Sequence, residues 1–351
     1  NRFEIHGEQS YNLLGGSGND RFVFYQGSKL TGSIDGRVGA NTLDLSGLGS
    51  RADITLSDTA ELVGFTGKVE AVGVTVVEFY NISDLSGSNL GDSLEALDGP
   101  SEFMLGETAR YESGGRILTF RGVTALIGAE NHLTRFTIVG EQVINLTGGA
   151  GEEAESIFIF TEDAYLIGVI DGRSSYSTLD YSQWGSSREF ILTSVGSGSG
   201  FSGREESLPL GFHNINEIIG SSSAGDIVVG FEERSTWELA GDGLVIYKGE
   251  EIILEGIEYI TGSSRGDTYI VSAPTEQPAP FSIIGGPGND IFKFTGTGTL
   301  LGFIDGGSGS NRIDYSSYDV PVIFNLEQMS ATGLQQFANI KFLIGSGYSD
   351  I

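Results

Sequence analysis

The chain has 351 residues, of which 39% are hydrophobic and 10% aromatic, which is enough for a packed core and excludes wholesale disorder. Its 47 acidic residues against 19 basic ones give a net charge of −28, which argues against nucleic-acid binding and against docking on anionic membranes. There is no cysteine, so disulfides and thiolate metal sites are excluded, and no run of about 18 apolar residues spans a bilayer.

Glycine is the compositional outlier: 54 residues, roughly double the usual share, beside only 7 prolines. That density predicts many tight turns that need positive φ. In chain order, the alternating Phe3-Glu4-Ile5 opens a first strand, and Gly15-Gly16-Ser17-Gly18-Asn19-Asp20 makes a turn. The β-type run Arg21-Phe22-Val23-Phe24-Tyr25 follows. Gly32-Ser33-Ile34-Asp35-Gly36, ending in Leu43-Asp44-Leu45-Ser46, and the turn Gly87-Ser88-Asn89-Leu90-Gly91-Asp92 continue the pattern. No stretch keeps a helical period with a cap, so the class is all-β.

The same order of elements then returns. Asn1-Arg2-Phe3-Glu4-Ile5-His6-Gly7-Glu8-Gln9 reappears as Thr134-Arg135-Phe136-Thr137-Ile138-Val139-Gly140-Glu141-Gln142. Gly168-Val169-Ile170-Asp171-Gly172 and Gly302-Phe303-Ile304-Asp305-Gly306 repeat the stretch around Asp35. Phe103 and Trp237 are equivalent. The period is about 134 residues and predicts three copies, 1–133, 134–267 and an incomplete 268–351. The third breaks off in the turn Gly345-Ser346-Gly347-Tyr348-Ser349-Asp350-Ile351, which reads as an excerpt of something longer, continuing into further copies or stacking end to end on copies of itself. Turns 21 residues apart predict coils of that length, about six to a copy, in an elongated parallel β-solenoid of the β-helix or β-roll kind. An array of separate β-sandwiches is the alternative.

Gly15-Gly16-Ser17-Gly18-Asn19-Asp20-Arg21-Phe22-Val23 and Gly285-Gly286-Pro287-Gly288-Asn289-Asp290-Ile291-Phe292-Lys293 both fit the nonapeptide G-G-x-G-x-D-x-U-x. Glycines there turn carbonyls inward, and the Asp carboxylate completes an oxygen cage for Ca²⁺. On these motifs the chain resembles the RTX, or haemolysin-type calcium-binding, repeat proteins, and still more the long tandem modules of giant bacterial surface proteins. The resemblance implies secretion, a β-solenoid and calcium ligation. The expected metal set is Gly16, Gly18, Asn19 and Asp20 with Gly286, Gly288, Asn289 and Asp290. Asp35 and Asp305 would complete the shell from the next coil, or make Asx-turn hydrogen bonds instead. The chain departs from the family pattern in having isolated motifs, Asn41 and Asn311 where Asp is usual, and Gly148-Gly149-Ala150-Gly151-Glu152-Glu153 without the Asp. The competing reading is a plain glycine–Asp turn with no ion.

No catalytic pattern is present: His6, His132 and His213 are scattered, and the pairs Glu205-Glu206, Glu232-Glu233 and Glu250-Glu251 read as solvated charge on strand edges. Arg265-Gly266-Asp267 falls inside a repeat turn and reads as chance, and the glycan-acceptor forms at Asn81 and Asn145 do not recur. Trp237, Phe103, Tyr181 and Tyr315 could line a sugar-binding face, but their recurrence favours core or ladder positions of stacked coils, and the sequence alone leaves open whether they point in or out. The expectation is a non-enzymatic structural segment of an extracellular or cell-surface protein, an adhesin stalk, sheath or filament. The alternative is a polysaccharide-binding module accessory to a sugar-active enzyme.

Overall fold

The computed structural model describes residues 1–173 and 176–350; Ile351, the last residue of the expected third copy, lies outside them. The described residues contain strands and turns and no helix, so no helix is long and apolar enough to cross a membrane. The chain divides into two compact units, Asn1–Ser177 and Thr178–Ile351, and the division falls inside the second sequence copy.

In each unit most strands fall into two large mixed sheets that the chain visits in turn, and in the first unit Glu8–Gln9 with Lys29–Leu30 and Glu141–Gln142 with Tyr165–Leu166 form separate two-stranded parallel pairs. In the first unit, one sheet runs through Arg2–Ile5, Arg21–Phe24, Thr42–Asp44 and Asp84–Ser86, each parallel to the next. It continues through Arg116–Arg121, which is parallel to Asp84–Ser86 and antiparallel to Ala109–Ser113. That strand is antiparallel to Ser101–Leu105, after which parallel pairing resumes through Leu133–Ile138 and Glu155–Phe160. The second sheet has the same plan. Leu13–Leu14 and Ser33–Asp35 lead in parallel to Val74–Ile82. An antiparallel meander back through Phe65–Ala71 to Asp53–Thr59 follows. Parallel pairing then resumes through Ser93–Glu95, Ala125–Ile127, Asn145–Thr147 and Ile170–Asp171.

The second unit repeats this arrangement. Its meanders are Glu189–Val195, Phe201–Glu205 and Leu208–Ile215, and later Phe324–Asn325, Ser330–Ala331 and Leu334–Ala338, in one sheet, and Thr236–Gly241, Leu244–Tyr247 and Glu250–Glu255 in the other. The alternating β-type runs of the sequence are therefore of two kinds, parallel ladder strands and antiparallel meanders. The meander crosses the first sheet three times, so the first copy contributes seven strands to it in five separate visits.

Strict register explains why the core holds. Ile54, Leu94, Leu126, Leu146 and Ile170 are successive Cα partners, and all are buried. Phe190, Val228, Ile260, Ile283, Ile304 and Phe337 form the corresponding row in the second unit. A slip of one residue would turn such a row out to solvent, at about 1.5–3 kcal/mol for each large side chain. Aromatic residues stack along the other sheet, as Phe103 on Phe136 at 5.3 Å and Phe136 on Phe158 at 5.0 Å. In the meanders Gly67 and Gly203 occupy equivalent places. A Cβ there would lie 2.6 and 2.5 Å from the rings of Phe79 and Phe212, so only glycine lets the ring cross the strand.

Candidate functional site

The glycine turns form one set of side chains with a common geometry. In Gly87–Asp92 the Asp92 carboxylate turns inward and is fully buried. Oδ2 accepts the Ser88 N–H of its own turn, and Oδ1 accepts the Ser88 hydroxyl at 2.6 Å and the Ala52 N–H at 2.8 Å. Asp226 does the same with Ser221 N–H at 2.8 Å on Oδ2 and Arg188 N–H at 2.5 Å on Oδ1. Asp350 takes Ser346 N–H and Val322 N–H, each at 2.8 Å. Asp267 takes Ser263 N–H and Ser235 N–H, each at 2.6 Å. One oxygen thus closes the turn, and the other accepts an N–H from an earlier pass of the chain, binding two passes together. Where Asp is missing, Thr134 and Ser156 accept the turn N–H groups of Ala129 and Gly149 through their hydroxyls.

Asp20 and Asp290 belong to this set. Asp20 is buried, takes Gly16 N–H at 2.7 Å on Oδ2, and takes the Asn1 side-chain amide at 2.7 Å on Oδ1. Its own N–H donates to Asn41 Oδ1 at 3.1 Å. Asp290 accepts Asp267 N–H at 2.7 Å on Oδ1, and its N–H donates to Asn311 Oδ1 at 2.9 Å. Its Oδ2 is buried without a partner. Gly286, preceding Pro287, has φ of 83° and gives this carboxylate no N–H comparable to that of Gly16. Burial and the neighbouring charge of Asp267 push the Asp290 pKa up to about 6.

Asp35 and Asp305 make hydrogen bonds of another kind. Asp35 Oδ1 accepts Arg37 N–H at 2.8 Å and the Asn81 amide at 2.7 Å. Asp305 Oδ1 accepts Gly307 N–H at 2.9 Å and the Asn339 amide at 2.6 Å. These are Asx turns, and Arg37, Arg173 and Gly307 share a φ near 60° there. Gly16, Gly18, Asn19, Gly286, Gly288 and Asn289 act in the turns: Asn19 Oδ1 accepts Ala40 N–H, and Asn289 Oδ1 accepts Ser310 N–H. A calcium ion needs six to eight oxygens. As placed, the Asp20 and Asp290 carboxylates accept N–H donors, and among the buried atoms of the described residues Asp290 Oδ2 has no hydrogen-bond partner. Among the described residues no three His, Cys, Asp or Glu side chains gather as metal ligands would.

The other candidate residues lie as follows. Phe103, Trp237, Tyr181 and Tyr315 are fully buried and unavailable to a sugar. Asp267 of the Arg-Gly-Asp tripeptide is inside its turn, and Asn81 is buried with its amide on Asp35. Glu232, Glu233, Glu250 and Glu251 are exposed, as expected of solvated charge. Glu205 is not: it is buried, while Glu206 beside it is exposed.

Glu205 centres a polar cluster in the second unit that the sequence reading missed. Arg188 forms an ion pair with Glu205 Oε1, and both side chains are at least nine-tenths buried. Glu205 Oε2 accepts the Tyr181 hydroxyl at 2.9 Å, Ser207 N–H at 2.7 Å and the Ser207 hydroxyl at 2.5 Å. The Arg188 guanidinium stacks on Trp184 with its carbon 4.0 Å from the ring centroid. Burial first, and then the charge of Glu205, pushes the Tyr181 hydroxyl pKa well up, so it stays a donor. In the first copy the matching positions are Ala52 and Val69, fixed by the shared pairing of Leu56 with Gly67 and Leu192 with Gly203. A polar pair replacing an apolar one between copies was the available signal. A cavity of about 690 Å³ opens beside this cluster.

No protein-family model and no curated protein matches the chain.

Proposed function

We propose that this chain is a structural tandem-repeat segment of a long extracellular or cell-surface protein, built as a β-solenoid with meanders inserted at fixed points of each copy. The observation that carries this reading is that the same bond recurs in all three copies. The N–H groups of Ala52, Arg188 and Val322 each donate to the turn carboxylate of Asp92, Asp226 or Asp350. Asn81, Asn214 and Asn339 likewise all take a φ between 56° and 58°. Bonds that join one pass to the next suit a protein whose copies add along one direction. Small-angle scattering of this chain beside a version carrying one more 134–267 copy tests it. The maximum dimension is expected to rise in proportion to length; an unchanged dimension with a thicker particle would reject the solenoid.

In this reading the turn acids act as acceptors for buried N–H groups, and the fold does not depend on calcium. Chelation and millimolar calcium are both expected to leave the melting temperature unchanged. A calcium-dependent rise abolished by Asp290→Asn would instead assign an ion to the free Oδ2.

A further inference from the structure

We propose that the cavity beside Arg188 in the second unit is a binding site for a carboxylate group carried on a small polar molecule. The site is built from opposed requirements. Arg188 is nine-tenths buried, and its guanidinium is held in one orientation by Glu205 on one nitrogen and the Trp184 ring against its face. Among the described residues this guanidinium makes no other hydrogen bond: its Nε is buried without a partner, and the side chain lines a cavity of about 690 Å³. Arg204, which is exposed, lines the same cavity and has no ion-pair partner among the described residues. The same lining carries Glu189, Glu205 and Glu206, and Glu205 is already paired with Arg188, so Arg204 is the cation left to meet an anion.

The chemistry follows from the donors. Planar guanidinium groups match the two oxygens of a carboxylate, and a fixed orientation lowers the entropy lost on binding. Ile191, Ile227 and Pro209 supply apolar wall for the rest of the ligand. Glu189 and Glu206, both exposed at the rim, repel a second negative charge and so select a ligand with one acid group over a polyanion. The first copy has Ala52 and Val69 in place of Arg188 and Glu205, so the site belongs to one copy and not to the repeat as such.

The test is titration of the full chain, followed by the Nε resonances of its arginines, at constant ionic strength. The probes are N-acetylglycine as a peptide-terminus mimic, glucuronate as a sugar acid, and glucose as the neutral control. Saturable shifts of Arg188 and Arg204 are expected with at least one acid at a Kd of roughly 1 mM, and none with glucose. A response to N-acetylglycine alone points to peptide termini, to glucuronate alone to sugar acids, and to both to the carboxylate itself. Arg204→Gln, an exposed change that leaves the core intact, is expected to weaken binding about tenfold. Arg188→Ala with Glu205→Val, which copies the first repeat, is expected to stay folded and to abolish binding. No saturable shift with either acid, an equal response to glucose, or full binding by the folded double variant would overturn the proposal.

Discussion

Replacing Asp92 by alanine is expected to lower the stability of the first unit by about 3–5 kcal/mol, among the largest effects of any single turn substitution. The reason is the number of donors it serves. Ser88 N–H, the Ser88 hydroxyl and Ala52 N–H all end on this carboxylate, and the side chain is fully buried. Alanine leaves those donors without an acceptor where water does not reach, at about 1–3 kcal/mol for each orphaned group. Asp92→Asn keeps one acceptor oxygen and is expected to fall between the two. Asp35→Ala is the control: its Asx turn is only half-buried, so the loss is expected near 1 kcal/mol. Urea unfolding of the three variants measures the order. An Asp92→Ala loss no greater than that of Asp35→Ala would show that the inward carboxylates do not hold the passes together.

The repeat made much of this fold legible before any coordinates. The match of Phe103 to Trp237 across copies favoured core or ladder positions over a sugar-binding face without fixing whether they point in or out, and both are fully buried. The glycine–Asp hexapeptides were legible as turns because glycine and Asp have a backbone reason to be there. What the carboxylate does inside such a turn was not legible. An Asp that ligates calcium and an Asp that accepts two backbone N–H groups leave the same letters, and only the direction of the side chain separates them. The meanders were hidden for a different reason. Asp53–Thr59 and Phe65–Ala71 alternate like the parallel strands around them, and alternation records burial of one face, not the direction of the neighbour. Glu205-Glu206 shows the limit most clearly: two identical adjacent residues point to opposite sides of a strand end, one into the Arg188 cluster and one to solvent.

Asp290 is expected to make the second unit more stable at pH 5 than at pH 7, against the trend of most carboxylates. Its folded pKa is about 6, raised above the ordinary 3.8 by burial and by Asp267. Between about pH 4 and pH 6 the folded state therefore holds a proton that the unfolded state has lost, and stability falls as pH rises through that window. Above about pH 6 the penalty is complete, on the order of 3 kcal/mol for a shift of about two units. Below about pH 4 it is absent. Asp290→Asn removes the charge while keeping an oxygen for Asp267 N–H, as Asn311 already does for Asp290 N–H in the next turn. The Asn311 amide also donates to the carbonyl oxygens of Gly307 and Asn339, so an amide in such a turn has acceptors within reach. The variant is expected to be more stable than the parent by about 2–3 kcal/mol at pH 7 and nearly equal to it at pH 4. Chemical unfolding of both chains across that range measures the difference. A gap that stays constant with pH would mean that Asp290 is ionised throughout, its free oxygen satisfied by a bound cation or by water.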